Sequence, residues 1–121
     1  MPLNLQLILD DAFDALIAQG QPATTPKGNC QYRVGGTDLK CALGHLIPDA
    51  NYTPDMEDQG LFQVALLFET KYGQDPEVQD IKFLNDLQSA HDDAEAFNFI
   101  PDLRTHFNNI ANHYNLKAPT A

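Results

Sequence analysis

Several things are scarce in this chain, and each scarcity narrows what it does. Its richest apolar stretch, 61–68, is interrupted by Gln63, well short of the roughly 18 apolar residues that a bilayer-crossing helix requires. No membrane role is expected. Basic residues are few: 7 Lys and Arg stand against 17 Asp and Glu, for a formal charge of −10. Such a surface repels phosphate backbones and offers no Lys/Arg cluster to displace their counterions, so direct nucleic-acid binding is not expected. The same imbalance suits a mimic of DNA in the basic groove of a nucleic-acid enzyme, or plain solubility. No Lys or Arg precedes Asp10-Asp11, whereas a secretory signal carries a basic head, and a cytoplasmic setting is expected. In that reducing compartment the two cysteines are read as thiols, although oxidation of Cys30 and Cys41 would close a short loop. A Walker loop, a dinucleotide fingerprint and a serine elbow are all missing, which removes the usual nucleotide and hydrolase signatures and leaves no cofactor expected. Without internal repeats or low-complexity blocks, residues 1–121 read as a single compact domain.

The remaining composition is that of a globular protein, 43% hydrophobic and 20% charged, with the apolar residues in periodic segments. Leu5, Ile8, Leu9, Ala12, Phe13 and Leu16 follow helical spacing, and Gly20 is a natural stop. Pro22 and Pro26 mark a connector. Gln31–Val34 and Thr37–Cys41 flank Gly35-Gly36, the pattern of a short β-hairpin. Thr53-Pro54-Asp55 reads as a cap, a first-turn proline and a matched acid. Beyond it Leu61, Val64, Ala65, Phe68 and Tyr72 share a face, Phe62, Leu66 and Leu67 widen the arc, and a central buried helix is predicted up to Gly73. Asp75-Pro76-Glu77 repeats the cap signature before Val78, Ile81, Leu84, Leu87 and Gln88, which lead toward His91. Pro101 and Asp102 open a last helix with Leu103, Phe107, Ile110, Ala111 and Tyr114 inward, and the tail after Lys117 should fray. The fold class expected is mainly α: about four helices packed around one small β-hairpin, α+β by a strict count.

Chemistry has few places to sit. A thiol nucleophile needs a base that makes thiolate and a group that orients the base. Cys41, beside Gly44, with His91 as base and Asp92 as orienter supplies those types; the competing explanation is that a buried Cys and a helix-end His simply pack. Cys30, Cys41, His45 and His91 are a ligand set that suits zinc, yet only the Cys41 to His45 interval is compact, so no metal is assigned. His106 and His113 lie on one face of the last helix and read as a solvated flank, and acidic pairs such as Asp10 with Asp14 are assigned no role.

Cys30-Gln31-Tyr32-Arg33, Lys40-Cys41-Ala42-Leu43-Gly44, Leu46-Ile47-Pro48-Asp49, Tyr52, Met56-Glu57 and Leu87-Gln88-Ser89-Ala90-His91-Asp92 form a distinctive pattern. In it the chain resembles a set of small proteins of phages, prophages and other bacterial mobile elements, for which no activity is available to transfer. The resemblance implies that the segment around Cys41 and the helix end at His91 belong to one unit. The expected function is that of an accessory protein that binds a protein partner or associates with itself, with a thiol-dependent hydrolase or transferase using Cys41 and His91 as the alternative.

Overall fold

In a computed structural model the described residues are 3–21, 39–53, 57, 60–94 and 98–119. Helix α1 spans Leu5–Gln19; Asn4 caps it by accepting the Leu7 amide through its side-chain oxygen at 3.1 Å. Ile8, Leu9, Ala12, Phe13 and Leu16 form its buried stripe, and Gly20, at φ 76°, ends it in the left-handed conformation that costs glycine least. Short 3-10 turns follow at Gly44–Leu46 and Asp49–Asn51, then helix α2, Leu61–Ala65, and a further 3-10 turn at Thr70–Tyr72. Helix α3 covers Val78–Asp93 and helix α4 Phe99–His113. Pro101 falls in the first turn of α4, where the amide it lacks would have no helical partner anyway.

Helices α1, α3 and α4 pack on one another, with α2 against α3 and the Gly44–Leu46 turn against α1. Their apolar faces merge into one cluster, in which the rings of Phe13 and Phe107 meet at 5.3 Å and Phe83 meets Tyr114 edge-on at 5.0 Å. The chain's start is stitched to this core: Asn4 N donates to the Tyr72 carbonyl at 2.8 Å and Leu3 N to the buried Asp80 carboxylate at 3.1 Å. Asp80 also accepts the Glu77 amide at 2.9 Å, half of a reciprocal capping box that starts α3. The tail does not fray at once, since Gln6 grips both backbone groups of Lys117 and Pro119 is buried.

Three expectations need correction. The β-hairpin is not part of the fold class: the described residues are mainly helical and contain no strand, only a one-residue bridge at Lys40. The first arm and the Gly35-Gly36 turn lie outside the described residues. On the second arm, the Gln19 side chain takes the Lys40 amide at 2.8 Å and donates to its carbonyl at 3.0 Å, using the groups that a strand would pair. The helix expected from Leu61 to Tyr72 stops at Ala65. Glu69 turns to extended backbone at ψ 140° and its amide bonds the Leu46 carbonyl at 3.1 Å, a tertiary bond that displaces the helical ladder. Val78, expected inward, is 86% exposed, because it opens α3 and the helix buries Phe83, Leu84, Leu87 and Ala90 instead. The cap proposed at Pro54-Asp55 lies outside the described residues.

Candidate functional site

Cys41 stands where the chain turns from Lys40 into the Gly44–Leu46 turn, and that turn packs on α1, so its thiol is carried fully into the core. The donors around the sulfur are the Gly44 amide at 3.4 Å, the Leu43 amide and the Gln88 side chain on α3. Burial nevertheless dominates and, with the Asp92 carboxylate adding to it, pushes the thiol from its ordinary 9.0 up to about 12. At neutral pH the sulfur is a protonated thiol, the opposite of what a nucleophile needs.

His91, one turn beyond Leu87, is also fully buried. Its ring packs edge-on to Phe99 with 6.0 Å between centroids, and Nδ1 lies 3.0 Å from Asp92 Oδ1. A carboxylate oxygen only accepts, so Nδ1 is the donor in that contact. The structure therefore brings together His91 and Asp92, the residues expected as base and orienter, and sets the Asp92 charge within reach of Cys41. What separates this arrangement from a working dyad is the sulfur's set of partners, which are amides rather than the imidazole.

His45 belongs to a different cluster. Gln19 Oε1 accepts from Lys40 N, so the 3.0 Å contact with His45 Nε2 must be donated by the imidazole. That nitrogen is thus spent, and His45 cannot offer it to a metal. Cys30 lies outside the described residues. Among the described residues no group of three or more His, Cys, Asp or Glu is placed to hold a metal ion.

The two remaining histidines line shallow grooves between α3 and α4. Asp86, Ser89, Ala90, His106, Asn109 and Ile110 enclose about 200 Å³, and a neighbouring hollow of about 360 Å³ adds Lys82, His113 and Tyr114. Tyr114 donates its hydroxyl to Asp86, and burial, with this carboxylate adding to it, raises the phenol to about 12.

Three features escaped the sequence reading. Gln88 was seen only as part of an apolar face; it bonds the Cys41 sulfur while its Oε1 is buried without a partner among the described residues. Gln19, at the end of α1, gave no signal at all. Phe62 and Leu66 were counted as core, but they are 48% and 54% exposed. A signal for them existed: an apolar arc that wide cannot all face inward from one helix. Among the described residues no helix is long and apolar enough to cross a membrane. Comparison of the chain with protein-family models, with curated proteins and with solved structures finds no match.

Proposed function

We propose that the chain is a small acidic accessory protein of a bacterial mobile element that works in the cytoplasm by binding a protein, either a partner or a second copy. The observation that carries this reading is the pair Phe62 and Leu66. They lie one helical turn apart, joined by the Leu66 N to Phe62 O bond at 3.3 Å, and both project into solvent beside buried Val64, Ala65 and Phe68. Apolar side chains exposed one turn apart match the spacing of the anchors that a helical face offers to a partner's groove. A photoreactive phenylalanine at position 62 should give a discrete protein adduct in cells that naturally carry the protein, and the same group at exposed Gln79 should give none. Absence of an adduct from position 62 overturns the reading.

A thiol enzyme remains the second reading, favoured by the 3.0 Å His91 to Asp92 contact. Against it stand the full burial of Cys41 and the raised thiol. Under the binding reading, a thiol reagent at neutral pH modifies Cys41 only as fast as the fold opens, and His91→Ala does not slow it. Fast labelling of the native protein that His91→Ala abolishes would instead establish the enzyme.

A further inference from the structure

The two hollows between α3 and α4 share Asp86, Asn109 and Ile110, and so form one continuous trough. Helical spacing builds its walls. Lys82, Asp86 and Ser89 follow one another along one face of α3, as His106, Asn109 and His113 do along one face of α4. Buried Ala90 and Ile110 line it between them. Lys82 shares its hollow with His113, and Ser89 shares the other with His106, which gives the trough an order: Lys82 and His113 at one end, Asp86 and Asn109 in the middle, Ser89 and His106 at the far end. The first end is held in place by Tyr114, whose hydroxyl donates to Asp86 and whose ring meets Phe83 edge-on at 5.0 Å and His113 edge-on at 4.9 Å.

Most of these side chains do nothing for the fold. Those of Lys82, Ser89, His106 and Asn109 make no hydrogen bond or ion pair among the described residues, and Asp86 accepts from Tyr114 through Oδ2 alone. A metal ion does not account for the set, since no three groups of ligating type converge among the described residues.

The order of charges selects a ligand. At the Lys82 end α3 begins and α4 finishes, so their dipoles oppose each other and leave the side chains to set the local sign. Lys82 there, with the His113 imidazole as a further donor, suits an anionic group. In the middle Asp86 repels a second negative charge and accepts from a hydroxyl instead, while Asn109 beside it both donates and accepts. Ala90 and Ile110 suit the carbon skeleton that joins the two.

We propose that the trough between α3 and α4 binds a small anion that carries hydroxyl groups, of the chemical class of a sugar phosphate, with its phosphate at Lys82 and His113 and a hydroxyl on Asp86. Neither Phe62 nor Leu66 lines the trough, so this site goes beyond the protein-binding reading and is tested apart from it.

The test is an NMR titration of the full chain, followed at the histidine ring signals and assigned with His106→Gln and His113→Gln. Glucose 6-phosphate should move the His106 and His113 signals along a saturable curve and leave that of His45, which is bonded to Gln19 on α1, in place. Inorganic phosphate and glucose should each bind roughly 10-fold more weakly, because each meets only one part of the site. Lys82 is exposed, so its truncation leaves the core intact, and Lys82→Ala should weaken glucose 6-phosphate by roughly 10-fold. Asp86→Asn keeps an acceptor for Tyr114 and removes the charge; it should weaken glucose 6-phosphate and leave inorganic phosphate unchanged or tighter. Absence of a saturable shift overturns the proposal, as does a His45 shift as large as the other two. Equal binding of inorganic phosphate, or tighter binding of glucose 6-phosphate by Asp86→Asn, means a site for charge alone and overturns it too. Phe62→Ser/Leu66→Ser should bind glucose 6-phosphate as the wild type does, which keeps a failure here distinct from a failure of the protein-binding reading.

Discussion

Helices α4 and α2 both carry Phe, Leu and Ala, yet one hides its phenylalanines and the other displays one. Over the 15 residues of α4, Phe99, Leu103, Phe107, Ile110 and Ala111 line up on a single stripe, and of the apolar residues outside it Ile100 alone is a large exposed one. In the 5 residues of α2 only Val64 and Ala65 are buried, and its Phe62 is left facing water. Length decides between them: a stripe needs several turns to form, and one turn buries only what touches its neighbour. Phe107 should therefore be among the most costly residues to truncate. It is fully buried against Phe13, and Phe107→Ala should remove roughly 3–5 kcal/mol of stability, measured by urea unfolding. A loss below about 1 kcal/mol would show that the α1 to α4 seam is not close-packed and would erase the contrast.

The two ends of α3 draw a similar contrast for polar groups. At its start Asp80 is buried with two amide donors, whereas near its end Cys41 sits fully buried beside Gln88 with no charge to balance an ionised sulfur. In the folded state the thiol holds its proton up to about 12, and in the unfolded chain it releases it near 9.0. Above pH 9 the unfolded chain binds fewer protons than the native one, so this stability is complete below that pH and is lost as pH rises toward 12. The loss approaches about 4 kcal/mol across the window, or about 1.4 kcal/mol per pH unit. Raised phenols at Tyr72 and Tyr114 tilt the curve in the same direction, so the thiol's share is the slope that Cys41→Ala removes from the stability profile above pH 9. An unaltered slope would place the sulfur in contact with water.

Asp80 should matter somewhat less. Asp80→Ala strands the amides of Leu3 and Glu77, at about 2 kcal/mol by chemical denaturation. Asp80→Asn, which keeps an acceptor oxygen, should lose about half of that. A cost near zero would mean that water reaches both amides, and the two ends of α3 would no longer differ.

What could be read ahead of the structure divides along the same lines. Helices α1, α3 and α4 were legible because each repeats its apolar period over several turns, and Gly20 and Pro101 sit where a helix stop and a first-turn proline carry a direct backbone meaning, whereas the Asn4 cap was not read. The segment between Lys40 and Tyr72 was not, because its conformation is settled by distant groups: Gln19 on Lys40, Leu46 on Glu69, Asn51 on Leu67. None of those pairings leaves a periodic trace. For the candidate site, sequence adjacency put His91 beside Asp92 without giving their contact, since neighbours on a helix do not face each other, and the burial of Cys41 depends on how the Gly44–Leu46 turn packs on α1. Spacing alone does not separate a thiol in a cleft from a thiol in a core.

The smallest expected change in stability per residue is the one that most sharpens the opening contrast. Phe62→Ser/Leu66→Ser replaces a Phe and a Leu, as drastic a chemical change as any in α4, yet both side chains are about half exposed. Since the hydrophobic contribution scales with apolar area withdrawn from water, and about half of each side chain is withdrawn, the double variant should lose about 1–2 kcal/mol in urea, less than Phe107→Ala alone, with an unchanged slope. Serine also lowers helix propensity slightly, which works in the destabilising direction and sets the upper end of that range. Should the variant instead lose about 4 kcal/mol or more, Phe62 and Leu66 would be core residues after all, and no surface anchor would remain for a partner to cover.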